Sequence, residues 1–364
     1  MSTPLSKSSL TSAGAWFLHS GIQEESGGVA RYYRSDLGRN ARVSTEITGY
    51  AVSALLYLWN RSANDSYRDA ALRAARFLTR TAWHGALGIF PFEHSGNCGR
   101  PEPLAYFFDS GIVVRGLLAA WRASGDAEFL DAAVRCGTGM LADFRERETI
   151  HPILTLPGKQ PRPHEPRWSA RPGCYQLKSA MAWFDLHEST GDTRFLAAYQ
   201  QALAGALASE SAFLPGEELP EKIMDRLHAY LYFLEGLLPA ADREECAVVI
   251  ERGIGNVDRY VREISPVFVR SDVYAQLLRI RLFAAALGIA AVDEAAAEHE
   301  AGEAAKFQLE SGDIRIGGGF GFGRRSGEML PYVNPVSTAF CAQALAMWSD
   351  HRAGALTPDR RSLV

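Results

Sequence analysis

Cysteine is scarce in this chain and forms no framework. Cys98, Cys136, Cys174, Cys246 and Cys341 are scattered over 364 residues, odd in number and without a C-x-x-C pair, so they read as reduced thiols of a cytoplasmic protein. There is no basic excess either: a formal net charge of −4 argues against a nucleic-acid partner, which calls for a positive surface. Hydrophobic residues make up 47% of the chain, but charged residues at 22% interrupt them evenly, and no run is long enough to predict a membrane span. The Ser-rich stretch from Met1 to Thr11 has no apolar core, so no signal peptide is expected. No G-x-S-x-G, Walker or H-E-x-x-H motif occurs. The glycine cluster from Gly317 to Gly323 lies outside any βαβ pattern, which excludes a nucleotide loop. His84, His94 and Cys98 are the one conceivable metal set, at no recognised ligand spacing, so neither a metal nor another cofactor is expected.

What the chain does have is a repeat. The segment from Glu46 to Trp59 is apolar around most of a helix, breaks at Arg61 to Asn64, and gives way at Asp65 to an amphipathic helix, Ser66–Thr81. Similar apolar segments begin near Phe108, Cys174, Asp225, Asp272 and Asn334, and each is followed by a turn containing an Asp: Asp126, Asp192, Asp242, Asp293 and Asp350. Counted from Asp65, the spacings are 61, 66, 50, 51 and 57 residues. Self-similarity at such a period marks a repeated supersecondary unit. A helix apolar nearly all round is a buried one. The intervening segments, 127–145, 193–209, 243–262 and 294–310, set Ala and Leu against Arg, Glu and Gln at helical spacing and predict one wet and one dry face. Each turn Asp is expected to cap the free N–H groups of the helix after it. With the helix expected over Ala13–Gln23 supplying a sixth partner, the pattern predicts an all-α, closed double ring of six inner and six outer helices over residues 13–352, flanked by a loose arm (1–12) and a tail (353–364). An open superhelix would need polar caps at both ends.

In such a ring the inner helices run parallel and their N-termini open on one face, where free N–H groups and dipoles favour polar and anionic ligands. The side chains there are the candidate site: Glu46, Thr48 and Tyr50; Asp109 and Ser110; Tyr175, Gln176 and Lys178; Asp225, Arg226 and His228; Asp272, Tyr274 and Gln276; Asn334, Ser337 and Thr338. Helix capping accounts for many Ser, Thr, Asp and Asn residues at such places, but not for Tyr274, Gln276 or Lys178. Three connections to this face pair glycine with aromatics, bringing Tyr32 and Tyr33, Phe90 and Phe92, and Phe320 and Phe322. Such rings suit the apolar faces of sugars, and equally well plug the top of the ring. Arg324 and Arg325, Arg31 and Arg34, and the loop carrying Lys159, Arg162, Arg167 and Arg171 could hold a carboxylate or phosphate, or be solvated surface charge.

Ser44 to Tyr50, Phe108-Asp-Ser-Gly111, the Gly-Asp turns, His228 to Gly236 and Gly317 to Gly323 together resemble the (α/α)6-toroid proteins over about residues 13–350. That architecture is shared by six-hairpin glycosidases, unsaturated glucuronyl and rhamnogalacturonyl hydrolases, sugar 2-epimerases, glucuronyl C5-epimerases and, more distantly, terpene cyclases and protein prenyltransferases. The segments look most like a bacterial branch associated with polysaccharide gene clusters. The resemblance implies an Asp at an inner-helix start as general acid/base, a place that Asp109 matches best and Asp225 and Asp272 less well. For the cavity histidines of the epimerases, His228 is the one counterpart. The D-x-D-D and D-D-x-x-D motifs of terpene cyclases are missing.

The expected activity is general acid/base chemistry on an oligosaccharide or polysaccharide, uronate-containing ones included, with glycoside hydrolysis as the leading reaction. Glu46 and Asp109 would divide acid and base roles, His228 or Tyr274 would move a proton, and Tyr32, Tyr33, Phe90, Phe92, Tyr175, Gln176, Lys178, Gln276, Phe320, Phe322 and Arg324 would contact substrate. The alternatives are a non-catalytic glycan-binding or scaffold protein of a polysaccharide pathway, a sugar epimerase or lyase, and a terpene-cyclase-like enzyme with a dry aromatic cavity.

Overall fold

Apolar residues recur around most of every second helix and along one stripe of those between, and the computed structural model, which describes residues 5–93, 103–147, 149–265 and 267–364, sorts them into two layers. The inner helices are α2 (Thr45–Ser62), α4 (Phe107–Ser124), α6 (Leu177–Thr190), α8 (Pro220–Gly236), α10 (Ser271–Ala286) and α12 (Pro335–Arg352). Helix α10 is buried without a break from Ser271 to Ala284. The outer helices are α1 (Leu5–His19), α3 (Asp65–Phe77), α5 (Ala127–Asp143), α7 (Thr193–Ser209), α9 (Glu244–Ile264) and α11 (Glu294–Ala305). Helix α9 buries only Cys246, Val249, Ile250, Gly253, Ile254, Val257, Val261 and Ile264, the three- and four-residue spacing of a single dry face. Each inner helix packs on the next, α12 returns to α2, and α1 packs on α12. The chain is thus an (α/α)6 toroid whose N-terminal helix completes the outer layer.

Inner helices sit close because glycines face their neighbours. A Cβ on Gly116 of α4 would lie 2.6 Å from the Gly49 carbonyl oxygen of α2, and one on Gly111 would lie 2.4 Å from the Ser179 carbonyl oxygen of α6. Neither position has room for a side chain.

The leading ends of the inner helices are tied together by short strands and bridges. Tyr33–Arg34 pairs with Tyr332–Val333, Leu104–Tyr106 with Ile153–Thr155, and Phe268–Arg270 with Gly323–Arg325. One device is used twice. Ser44 caps α2 and Asn334 caps α12; four residues on, Thr48 and Thr338 each accept, at 2.9 Å, the backbone N–H of Val29 or Phe320 in a glycine-rich connection.

Several expectations are corrected. Helix α1 begins at Leu5, so residues 5–12 are helical rather than a loose arm. Asp126, Asp192 and Asp293 cap as expected, but α3 is capped by Asn64, with Asp65 inside the first turn. Asp242 lies two residues before α9 and does not cap it. Asp350 lies within α12 and receives two hydrogen bonds from Arg61 of α2, at 2.5 and 2.9 Å, across the seam of the ring. Helix α8 starts at Pro220, five residues before Asp225.

The tail returns into the ring, and Leu363 and Val364 are 2% and 1% exposed. They meet a buried ionic layer. Lys178 Nζ donates to Glu235 at 2.8 Å and to the main-chain oxygen of Val364 at 3.3 Å; Arg279 donates to Glu235 at 2.5 Å and to Gln343 at 3.0 Å. Arg115 joins Asp185 at 3.0 Å and the Leu363 carbonyl at 3.1 Å.

Candidate functional site

Two groups of polar side chains meet between the inner-helix starts. The first is Glu46 on α2 and Asp109 on α4. Asp109 is 5% exposed, and its Oδ2 makes no hydrogen bond to any described residue. Burial pushes its carboxyl well above the ordinary range, the charge of Glu46 pushes it further, and Arg31 opposes both. Glu46 is partly exposed; desolvation lifts it to about 7 against the pull of Arg31. Arg31 lies over the Phe92 ring at 5.0 Å and bonds Glu93 at 3.2 Å.

The second group is built on α8 and α10. The Nδ1 of His228 is 2.7 Å from Gln276 Oε1 and 3.5 Å from Asp272 Oδ2. Both neighbours are acceptors, so Nδ1 carries the proton and Nε2 keeps a lone pair. Burial lowers the imidazole to about 4, with Arg270 assisting, so it is neutral at pH 7. Arg270 grips Asp272 through two bonds, at 3.0 and 2.6 Å, reaches Asp225 at 2.7 Å, and stacks on Phe322 at 4.7 Å. Burial alone would raise Asp272; Arg270 and His228 outweigh it and hold the carboxyl below its usual value.

Tyr232 joins the two groups. Its ring meets His228 edge-on at 4.4 Å and Phe108 at 4.7 Å. Burial drives its phenol well above the usual value, and the charges of Glu46 and Asp272 add to this from either side. The Tyr50 phenol beside it is raised by burial and by Tyr232.

Of the sequence candidates, Glu46, Asp109, His228, Asp272, Gln276 and, through Arg270, Asp225 therefore form one constellation. Others lie elsewhere. The Tyr274 ring packs edge-on to His299 of α11 at 6.1 Å, facing the outer layer, where burial raises its phenol to about 12. Lys178 is fully buried against Glu235. Gln176 serves the backbone, accepting from Gly173 N–H and donating to the Ile150 carbonyl. Tyr175 anchors the adjoining loop by donating to the Arg171 carbonyl at 3.0 Å. Arg324 is held by the Lys306 carbonyl at 2.6 Å and the Phe307 ring at 4.9 Å. The aromatic pairs divide by alternation along extended backbone: Tyr33, Phe90 and Phe320 are buried plugs, whereas Tyr32, Phe92 and Phe322 keep exposed surface. His94 and Cys98 lie outside the described residues.

Sequence reasoning missed Arg270, Tyr232 and Tyr106, whose ring meets Phe92 at 5.0 Å and whose phenol is raised by burial and by the charge of Asp109. Tyr232 was detectable, since it lies four residues after His228 and hence on the same helix face. Arg270 had no such signal, because it reaches the site from the strand before α10. A cavity of about 840 Å³ between α1, α11 and α12 is lined by none of these residues.

Comparison with solved structures places the fold beside sugar-processing proteins. Cellobiose 2-epimerase from Spirochaeta thermophila superposes with a TM-score of 0.72 at 16% identity, over 96% of this chain and 98% of that one. A D-mannose isomerase gives 0.69 at 10% identity, over 94% and 97%. Unsaturated glucuronyl hydrolase from a Bacillus species gives 0.68 at 12% identity, over 95% and 97%. No protein-family model matches the sequence, and no curated protein does. At these identities the likeness defines the architecture: the chain is an (α/α)6-toroid protein.

Proposed function

We propose that the protein is a carbohydrate-active enzyme working by acid–base chemistry between its inner-helix starts, with glycoside hydrolysis the reaction its residues suit best. The observation that carries this reading is the Glu46–Asp109 pair, two carboxyls from adjacent inner helices whose surroundings differ. Asp109 is buried and holds its proton far above the ordinary carboxyl range, the condition for a general acid that donates to a leaving glycosidic oxygen. Glu46 is more open and titrates at about 7, so near neutrality it serves as base or nucleophile. Such a division of two carboxyls by environment is how one site holds an acid and a base together. Phe92, Tyr106 and Phe108 supply partly exposed rings beside the pair. The architecture shared with epimerase, isomerase and hydrolase structures is consistent with a sugar substrate.

The test is turnover of a panel of neutral and uronate-containing oligosaccharides by the native chain, Asp109→Asn and Glu46→Gln. Each substitution is expected to lower kcat by about 10²–10⁴-fold; native turnover that survives Asp109→Asn would overturn the assignment. A second reading is favoured by one observation, the neutral His228 with its proton fixed on Nδ1. The free Nε2 suits abstraction of a proton next to a sugar carbonyl, as in epimerisation or isomerisation. It predicts a product of unchanged chain length and loss of activity in His228→Gln with Asp109→Asn active.

A further inference from the structure

Beside the acid pair, the hairpin of Tyr33–Arg34 and Arg39–Asn40 encloses a second cavity of about 390 Å³, whose walls include Arg31, Tyr32, Arg34, Arg39, Arg42 and Glu93. The chain as a whole is acidic, with a formal net charge of −4, yet arginines dominate here. Glu93 is shared between Arg31 at 3.2 Å and Arg42 at 2.8 Å. Asp36 takes Arg34 in a two-bond grip, at 2.7 and 2.6 Å. Four guanidinium groups thus answer to two carboxylates among the described residues. Arg34 is also fixed over the Tyr332 ring at 5.1 Å, and Arg31 over Phe92, so the planes are set before a ligand arrives. Arg31 belongs to both places, for its charge is felt by Glu46 and Asp109. Across the site, Tyr106 feels Arg31 together with Arg162 and Arg167 of the neighbouring loop, so the positive edge continues past the acid pair.

We infer that the arginine hairpin pocket binds an anionic substituent of the glycan, a carboxylate, sulfate or phosphate carried on a sugar next to the one that reacts. This deepens the proposed function and rests on it. Planar guanidinium groups match these anions through paired N–H donors, and Tyr32 offers a ring to the sugar that bears the anion. Because Arg31 is shared, an anion in the pocket would also weaken the hold of Arg31 on Glu46, coupling occupancy of the pocket to the base.

The test is calorimetric titration of the full chain at low ionic strength with glucuronate, glucose 6-sulfate and glucose 6-phosphate, against glucose. At least one anionic sugar should bind about tenfold or more tighter than glucose, the worth of a single charge-assisted contact, and 1 M salt should erase the difference. The arms rank carboxylate, sulfate and phosphate. Arg39→Ser, at an exposed position, and Arg34→Ser should each remove most of that preference without changing glucose binding. Equal binding of charged and neutral sugars, no binding by any of them, or a preference that survives both substitutions overturns the inference. A preference for anions in a protein that turns over no oligosaccharide would leave the pocket standing and defeat the catalytic reading. Turnover of neutral glycans without any anion preference would do the reverse.

Discussion

Asp109 is a carboxyl placed where its charge is costly. Its folded-state pKa lies above that of the unfolded chain, as does that of Glu46 at about 7. The folded protein therefore holds these protons more tightly, and stability falls as pH rises from about 4, the ordinary carboxyl value, through the raised folded values. Asp109→Asn removes one of these titrations. The variant is expected to melt above the native protein at pH 8, with the gap closing toward pH 4, while its activity is lost. A variant that melts lower across that range would show that the carboxylate contributes to the fold. For activity the direction is opposite, because the base must be unprotonated: native kcat/KM should fall below about pH 7 as Glu46 takes up its proton, and Glu46→Gln should abolish that limb of the profile.

At the scale of elements, the turn acids separate into those that cap and those that do not. Asp126 accepts the Glu128 N–H at 3.1 Å, and Asp126→Ala should cost about 1 kcal/mol in urea unfolding. Asp242 is exposed and outside α9, and Asp242→Ala should stay within about 0.5 kcal/mol of native. Equal losses would mean that the assigned caps are misplaced. The glycine contacts predict a larger effect. Gly116→Ala forces a Cβ against the backbone of α2, and overpacking of that kind costs roughly 1–3 kcal/mol. The repeated Asp turns, the dry stripes of the outer helices and the buried inner helices were all legible in the amino-acid order, because each depends on residues within a few turns of one another. The choice between Asn64 and Asp65, or between Asp242 and Arg243, was not, since a one-residue shift of the helix start is decided by the packing of the preceding loop.

At the scale of the whole molecule, the tail and the ionic layer tie together five of the six inner helices, α4, α6, α8, α10 and α12. Glu235 lies between Lys178 and Arg279; burial works against its charge, but the two cations outweigh burial and keep its carboxyl below the ordinary value. Burial, with Arg115 and Arg279 nearby, draws Lys178 down to about 7. Removing residues 359–364 would take away the main-chain oxygens of Arg360, Leu363 and Val364 that receive Arg115, Lys178 and Arg279. The three cations keep their carboxylate partners, but each lost hydrogen bond from a buried charged donor costs about 1.5–3 kcal/mol, so the shortened chain should show a markedly lower urea midpoint. An unchanged midpoint would mean that the layer is satisfied without the tail.

The amino-acid order by itself determined the period of the repeat, the two helix classes, the closed double ring and the carboxyl pair at adjacent helix starts. Tertiary structure decided which side chain of each start faces its neighbours across the axis. It turned Tyr274 toward α11 and Lys178 into the ionic layer, and it brought in Arg270 from a strand. The reason is rotational: successive residues of a helix point about 100° apart, so hydrophobic spacing reveals that a helix has a buried side. When the helix is buried all round, as these are, spacing carries no information about phase, and the contacts with neighbouring helices set it.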